Sequence, residues 1–163
     1  MLREGANVDP ANADIKGKLT ELETQSEKLR KFVDAQGKPL TGVALAKAEG
    51  NELFKNSKYE EAATCYGRAL EGTTDPKERS VLFSNRAACW AQYQNWDRML
   101  GDAKLALEAD PKNVKALIRR GLAYEGLEKY KLAADDFKSV LELDPQAMVA
   151  STALARLSRF LNR

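Results

Sequence analysis

The chain has 163 residues, 44% of them hydrophobic, with 26 lysines and arginines against 24 aspartates and glutamates. That length suits one domain plus an extension and supplies a core, while a net charge of +2 gives no overall field to draw in nucleic acid or an anionic membrane, so electrostatic recognition is local. With no histidine present, Ser-His-Asp and Cys-His arrangements and every site that needs imidazole are excluded. Neither GxxxxGK[ST] nor GxGxxG occurs, which removes the common phosphate-binding loops. Cys65 and Cys89 form no CxxC and read as small buried hydrophobes in a reducing compartment, not zinc ligands. Neighbouring carboxylates such as Glu60 with Glu61 and Asp135 with Asp136 read as solvated helix faces. No metal, cofactor or catalytic residue is expected. The start MLREGANVDPANAD lacks the apolar core of a secretory signal, and no apolar run reaches the roughly 20 residues that span a bilayer. A cytoplasmic or nuclear location is the expectation.

Residues Met1 to Ala13 are polar and without periodicity, which predicts a mobile end. Asp14 is placed to cap a short amphipathic helix over about 14–35. Ile15, Leu19, Leu22, Ser26, Leu29 and Val33 alternate in steps of four and three, a heptad seam with one polar break. Three readings stand for the Ile15–Val33 helix: packing on the chain's own helical domain, a weak coiled-coil dimer or partner helix, or a loosely formed exposed helix, since helices this short are marginal alone. Gly37, Pro39 and Gly42 then break the pattern and mark a linker. The expected organisation is therefore 1–42 for the polar end, helix and linker, and 43–163 for the main domain.

From Val43 the chain is helical and repeats itself. The openings ALAKAEGN, VLFSNRAA and VKALIRRG align on Gly50, Ala87 and Gly121, separated by 37 and 34 residues. A large residue precedes each second helix, at Tyr59, Trp96 and Tyr130, three before Ala62, Met99 and Ala133. Asp110-Pro111 and Asp144-Pro145 close the second and third units, where proline forbids helix continuation. The first unit ends in Gly72-Thr-Thr-Asp-Pro76, whose extra residues account for the longer first spacing. Each helix pair is too small to bury its own apolar face, so pairs stack, and Gly50, Ala87 and Gly121 permit close approach. Trp90, Trp96 and the tyrosines read as core. Ala147 to Leu161 reads as a final helix whose Met148, Val149, Leu154, Leu157, Phe160 and Leu161 cover the last repeat, with Arg156, Arg159 and Arg163 facing water.

Residues Val43 to Pro145 resemble three tetratricopeptide repeats. The family pattern is matched by Leu53, Tyr59, Ala62, Tyr66 and Ala69 in the first unit and by Leu117, Gly121, Tyr124, Ala133, Phe137 and Pro145 in the third. The middle unit has Phe83, Ala87, Trp90, Ala106 and Pro111 but departs at Met99, where a larger side chain must be accommodated. The resemblance implies an all-α fold: three helix-turn-helix repeats in a right-handed superhelix, a C-terminal capping helix and an N-terminal helical extension. The first helix of each pair then lines a concave wall.

On that wall the family alignment places Lys47, Asn51, Asn85, Lys115 and Arg119. Lys115 and Arg119 are four apart and share one helix face. The set resembles the dicarboxylate clamp of tetratricopeptide co-chaperones such as the heat-shock organising protein and the Unc-type myosin chaperones. Carried over, Lys47, Asn51 and Asn85 hold the α-carboxylate of a peptide, and Lys115 and Arg119 hold its last aspartate side chain. The implied ligand is the Glu-Glu-Val-Asp C-terminus of heat shock protein 70 or 90, with Phe54 and Ala88 bordering a pocket for the valine. Cations and amides together give charge-assisted and neutral directional donors without further repulsion among cations. The expected role is a non-enzymatic adaptor; the alternative is a scaffold that holds an internal segment of another protein and assembles through its N-terminal helix.

Overall fold

The computed structural model describes residues 10–162, which form eight α-helices. They are α1 (Pro10–Lys31), α2 (Gly42–Lys55), α3 (Tyr59–Glu71), α4 (Pro76–Gln92), α5 (Trp96–Ala109), α6 (Val114–Gly126), α7 (Tyr130–Leu143) and α8 (Met148–Leu161). The chain divides into two compact units, Met1–Thr41 and Gly42–Arg163.

In the first unit α1 begins at Pro10, so Asp14 does not cap it; instead Asp14 pairs with Lys18 one turn on, at 3.5 Å. The expected mobile end therefore overlaps a helix at residues 10–13, and its residues 1–9 lie outside the described residues. The helix also stops at Lys31, short of the expected Ala35. The cause is a tight turn: the Asp34 carboxylate accepts the backbone N–H groups of Gln36 and Lys38, both at 2.9 Å, and Gly37 takes a φ of 81°. An Asx turn of this kind competes with helical hydrogen bonding, and glycine is the residue that tolerates that φ. Val33 consequently leaves the seam and bridges to Pro39. Ile15, Leu19 and Leu22 are each more than half exposed; the side chain of Leu29 lies outside the described residues.

In the second unit each helix packs on its chain neighbours, and α4 also meets α6, giving the superhelical stack of helix pairs α2–α3, α4–α5 and α6–α7 with α8 at the end. The three turns within pairs are the same. Ser57, Gln94 and Glu128 have φ of 63°, 54° and 62°, and the next amides, Lys58, Asn95 and Lys129, reach back to the carbonyls of Leu53, Trp90 and Tyr124. This is a Schellman closure made without glycine. Between pairs, Asp75 caps α4 by accepting Glu78 N–H at 2.9 Å, with Pro76 at the first helical position where its missing donor is harmless.

Close approach within a pair depends on the small residue of its first helix. A Cβ on Gly50 would stand 2.8 Å from the Tyr66 ring, and one on Gly121 would stand 2.8 Å from Phe137. In the middle pair the equivalent positions are Ala87 and Ala103, both fully buried, and Met99 packs in a cluster with Ala87 and Ala123. The unusual methionine thus fills interior space. Cys65 and Cys89 are free and buried.

Three expectations are corrected here. Asp136 does not belong to a solvated face: it is 4% exposed and bound by Arg120. Tyr93 is exposed and touches the Tyr59 ring edge-on at 6.1 Å instead of joining the core. On α8, Leu157 is buried and Leu154 and Phe160 pack on the core, but Met148, Val149 and Leu161 face solvent, because one helix stripe is enough to contact α7. Arg156 pairs with Glu125 through two bonds of 2.8 Å, and Arg159 lies over the Phe160 ring; Arg163 lies outside the described residues.

Candidate functional site: a groove lined by Asn51, Asn85 and Arg119

The wall of the second unit is built by α2, α4 and α6, and buried polar contacts fix their positions. Asn113 caps α6 by accepting Ala116 N–H at 3.1 Å, and its amide donates to Ser80 Oγ at 2.8 Å. Ser80 in turn donates to the Ala106 carbonyl at 2.7 Å. One side-chain chain therefore ties the start of α6 to both helices of the preceding pair. Two ion pairs lock first helices to their own second helices: Arg86 to Asp102 through two bonds of 2.9 Å, and Arg120 to Asp136 through bonds of 2.9 and 2.7 Å. Asp102 also accepts from the Trp90 indole at 2.8 Å, so this buried carboxylate is fully engaged, as burial of a charge demands. The first pair uses a different arrangement, with Arg68 reaching Glu49 at 3.4 Å and Cys65 Sγ at 3.0 Å.

Beside this framework lies a groove of about 550 Å³ lined by Asn51, Phe54, Lys55, Ser57, Tyr59, Tyr66, Asn85, Ala88 and Arg119. Five of the seven residues singled out from the sequence meet there: Asn51, Phe54, Asn85, Ala88 and Arg119. Lys47 and Lys115 do not line it; they stand one helical turn before Asn51 and Arg119 on α2 and α6, with Lys47 half-buried and Lys115 exposed. Among the described residues no carboxylate forms a salt bridge with Lys47, Lys115 or Arg119. Phe54 stacks edge-on against Tyr59 at 5.1 Å, giving the groove an aromatic end.

Arg119 is the groove cation whose charged form burial disfavours. Burial holds its guanidinium below the usual arginine value, opposed by Cys89 and Tyr66. Its Nε is buried with no hydrogen-bond partner among the described residues, and its Nη1 makes a long 3.5 Å contact to the Lys115 carbonyl. The adjacent Arg120 and the equivalent Arg86 are instead raised, chiefly by hydrogen bonds to Asp136 and Asp102. A half-buried guanidinium with an unsatisfied donor favours an anion beside it.

Tyr66, Lys55, Ser57 and Tyr59 are groove residues that the sequence reading missed. Tyr66 enters the sequence pattern as a repeat and core residue, yet its hydroxyl donates to Asn51 Oδ1 at 2.6 Å. Burial, with smaller contributions from Cys89 and Cys65, pushes that hydroxyl up to about 12 against the pull of Arg119. Burial likewise pushes the Cys89 thiol up to about 12, with Asp102 adding and Arg119 and Arg86 opposing. Both groups are therefore neutral beside the cation. No helix among the described residues is long and apolar enough to cross a membrane, and these residues contain no cluster of metal-ligating side chains.

Known proteins are similar to this chain in sequence and fold. The family model described as tetratricopeptide repeat matches residues 114–146. The mitochondrial import receptor subunit TOM34 of Homo sapiens is 44% identical over 120 residues, covering 71% of this chain and 39% of that protein, so the chain spans about two fifths of this relative's length. Among solved structures, the first TPR of Spaghetti (RPAP3) bound to the HSP90 peptide SRMEEVD is 32% identical with a TM-score of 0.70, covering 82% of this chain and 99% of that one. The second TPR domain of human RPAP3 in complex with the HSP70 peptide SGPTIEEVD is 34% identical with a TM-score of 0.65, covering 69% and 92%. The repeated helix pairs, their common turns and these similarities establish that the chain belongs to the tetratricopeptide repeat family.

Proposed function

We propose that this groove captures the C-terminal carboxylates of a peptide ending in Glu-Glu-Val-Asp, as carried by heat shock proteins 70 and 90, and that the chain is a non-enzymatic adaptor for those chaperones. In this reading Lys47, Asn51 and Asn85 bind the α-carboxylate, and Lys115 and Arg119 bind the last aspartate side chain. Phe54 and Ala88 border the valine. The observation that carries it is Arg119, half-buried in the groove with its Nε buried and unsatisfied and no acidic partner among the described residues. A carboxylate supplies the acceptors that this guanidinium lacks. Support also comes from the two RPAP3 domains, whose bound HSP90 and HSP70 peptides both end in EEVD. Desolvation and peptide ordering consume much of the gain from charge-assisted bonds, so affinity in the micromolar range is expected, about −8 kcal/mol.

The test is calorimetric titration with an acidic peptide ending in Met-Glu-Glu-Val-Asp, as the free acid and as the C-terminal amide. Binding of the acid and its loss with the amide support capture of a terminal carboxylate. Equal binding of both sinks this reading in favour of a scaffold that holds an internal segment, and binding of neither sinks it for this ligand.

A further inference from the structure

The hydroxyl of Tyr66 stands out because repeat packing does not need it. In the third pair Phe137 sits sixteen residues after Gly121, as Tyr66 sits sixteen after Gly50, and both rings press on their glycine at the same 2.8 Å from a would-be Cβ. Phenylalanine therefore does the packing work there without a hydroxyl. In the first pair the added oxygen reaches across to Asn51 at 2.6 Å, from a ring only 2% exposed, at the wall of the groove.

We propose that Tyr66 is a positioning residue of the groove: its hydroxyl claims the Asn51 amide oxygen and so leaves the Asn51 NH2 group as the face offered to a peptide carboxylate. The proposal rests on the reading of the groove as a carboxylate site. A carboxamide carries a donor and an acceptor at nearly the same place, and one that turns freely presents its oxygen to an anion as readily as its nitrogen. A neighbouring phenol removes that choice: its ring is wedged against α2, and the 2.6 Å contact has the length of an O–H···O bond, shorter than an amide N–H donating to the phenol oxygen would allow. The amide then meets the ligand already oriented, so less ordering is lost on binding. Arg119 lines the same groove, so an Asn51 oxygen turned into the groove would compete with the ligand for that guanidinium.

The experiment compares Tyr66→Phe, Asn51→Ala and the double variant by calorimetry, using the Met-Glu-Glu-Val-Asp peptide as free acid and as amide, with thermal melting of each protein. We expect Tyr66→Phe to melt like the parent, since Phe137 shows that the ring alone packs, and to bind the free acid roughly three- to tenfold more weakly. In the Asn51→Ala background the same change should alter affinity by less than about twofold, because the effect passes through that amide. An unchanged affinity in Tyr66→Phe, or an equal loss with and without Asn51, overturns the proposal; the latter assigns the hydroxyl to the peptide itself. If the parent protein binds no peptide, the carboxylate reading fails, and the positioning is decided separately by side-chain amide NMR of the free protein. The Asn51 NH2 signals should be ordered in the parent and lose order in Tyr66→Phe; identical signals in both overturn it.

Discussion

Arg119 and Arg120 are adjacent on α6, and replacing each by methionine should have opposite consequences. Methionine keeps an apolar stem of similar length, so packing along the helix is largely retained. At Arg119 the change removes a partly desolvated guanidinium whose buried Nε has no partner among the described residues, and a buried unsatisfied donor costs about 1–3 kcal/mol. Allowing for lost contacts, the folded state should gain about 1 kcal/mol, a rise of roughly 3–6 °C in melting temperature for a domain of this size. Binding of the acidic peptide should fall by roughly 10- to 150-fold, the equivalent of one charge-assisted bond of about 1.5–3 kcal/mol. At Arg120 the change strands Asp136, whose side chain is 6% exposed, while that of Arg120 is 29% exposed. Breaking a buried pair costs about 3–5 kcal/mol, and partial exposure of the arginine trims this to about 2–4 kcal/mol. Melting should drop by roughly 10 °C. Thermal melting by circular dichroism and calorimetric titration of both variants provide the assay. A destabilised Arg119→Met that still binds peptide, or an Arg120→Met that melts like the parent, refutes the electrostatic reasoning.

Three further outcomes are expected. Cys89 and Tyr66 both titrate higher in the folded protein than when free, at about 12, so the unfolded chain loses their protons first as pH rises. Their contribution is complete below about pH 8.5, the free-thiol value, and is lost toward pH 12; urea denaturation at stepped alkaline pH should show falling stability, with a shallower slope in Cys89→Ala. Asn113→Ala removes the α6 cap and the Ser80 contact together, so urea denaturation should report a loss of about 1–2 kcal/mol, and an unchanged midpoint contradicts the anchoring role. Gly121→Ala drives a methyl group to 2.8 Å from the fully buried Phe137 ring and should destabilise by about 1–3 kcal/mol, measured by the same denaturation.

The repeat was legible because its signals are local and recur. Small residues at Gly50, Ala87 and Gly121, large ones at Tyr59, Trp96 and Tyr130, and prolines at 111 and 145 each act within one helix or turn, so a linear reading finds them. The residues gathered in the groove were equally accessible where they sit on first helices, since Asn85 and Arg119 hold the same repeat position and Asn51 stands three residues, about one turn, further on the same helix face. The turns within pairs were harder to see, because Ser57, Gln94 and Glu128 hold positive φ without glycine. The Asp34 turn ended α1 early for a related reason: a single carboxylate bound two amides that the helical pattern had claimed.

Composition, repeat register and turn residues thus determined the helix pairs and the wall on which the candidate site lies. Tertiary structure decided which charges are spent. Asp136 reads as surface in the sequence, and only the folded chain brings Arg120 onto it while Arg119 beside it finds no acidic partner among the described residues. The difference arises from side chains sixteen residues away or in another helix pair, whose approach removes water from one guanidinium and supplies a carboxylate only to the other. Tyr66 follows the same rule: its ring obeys the repeat pattern, but the meaning of its hydroxyl depends on Asn51 across the helix interface, a distance that only the folded chain brings within hydrogen-bond reach.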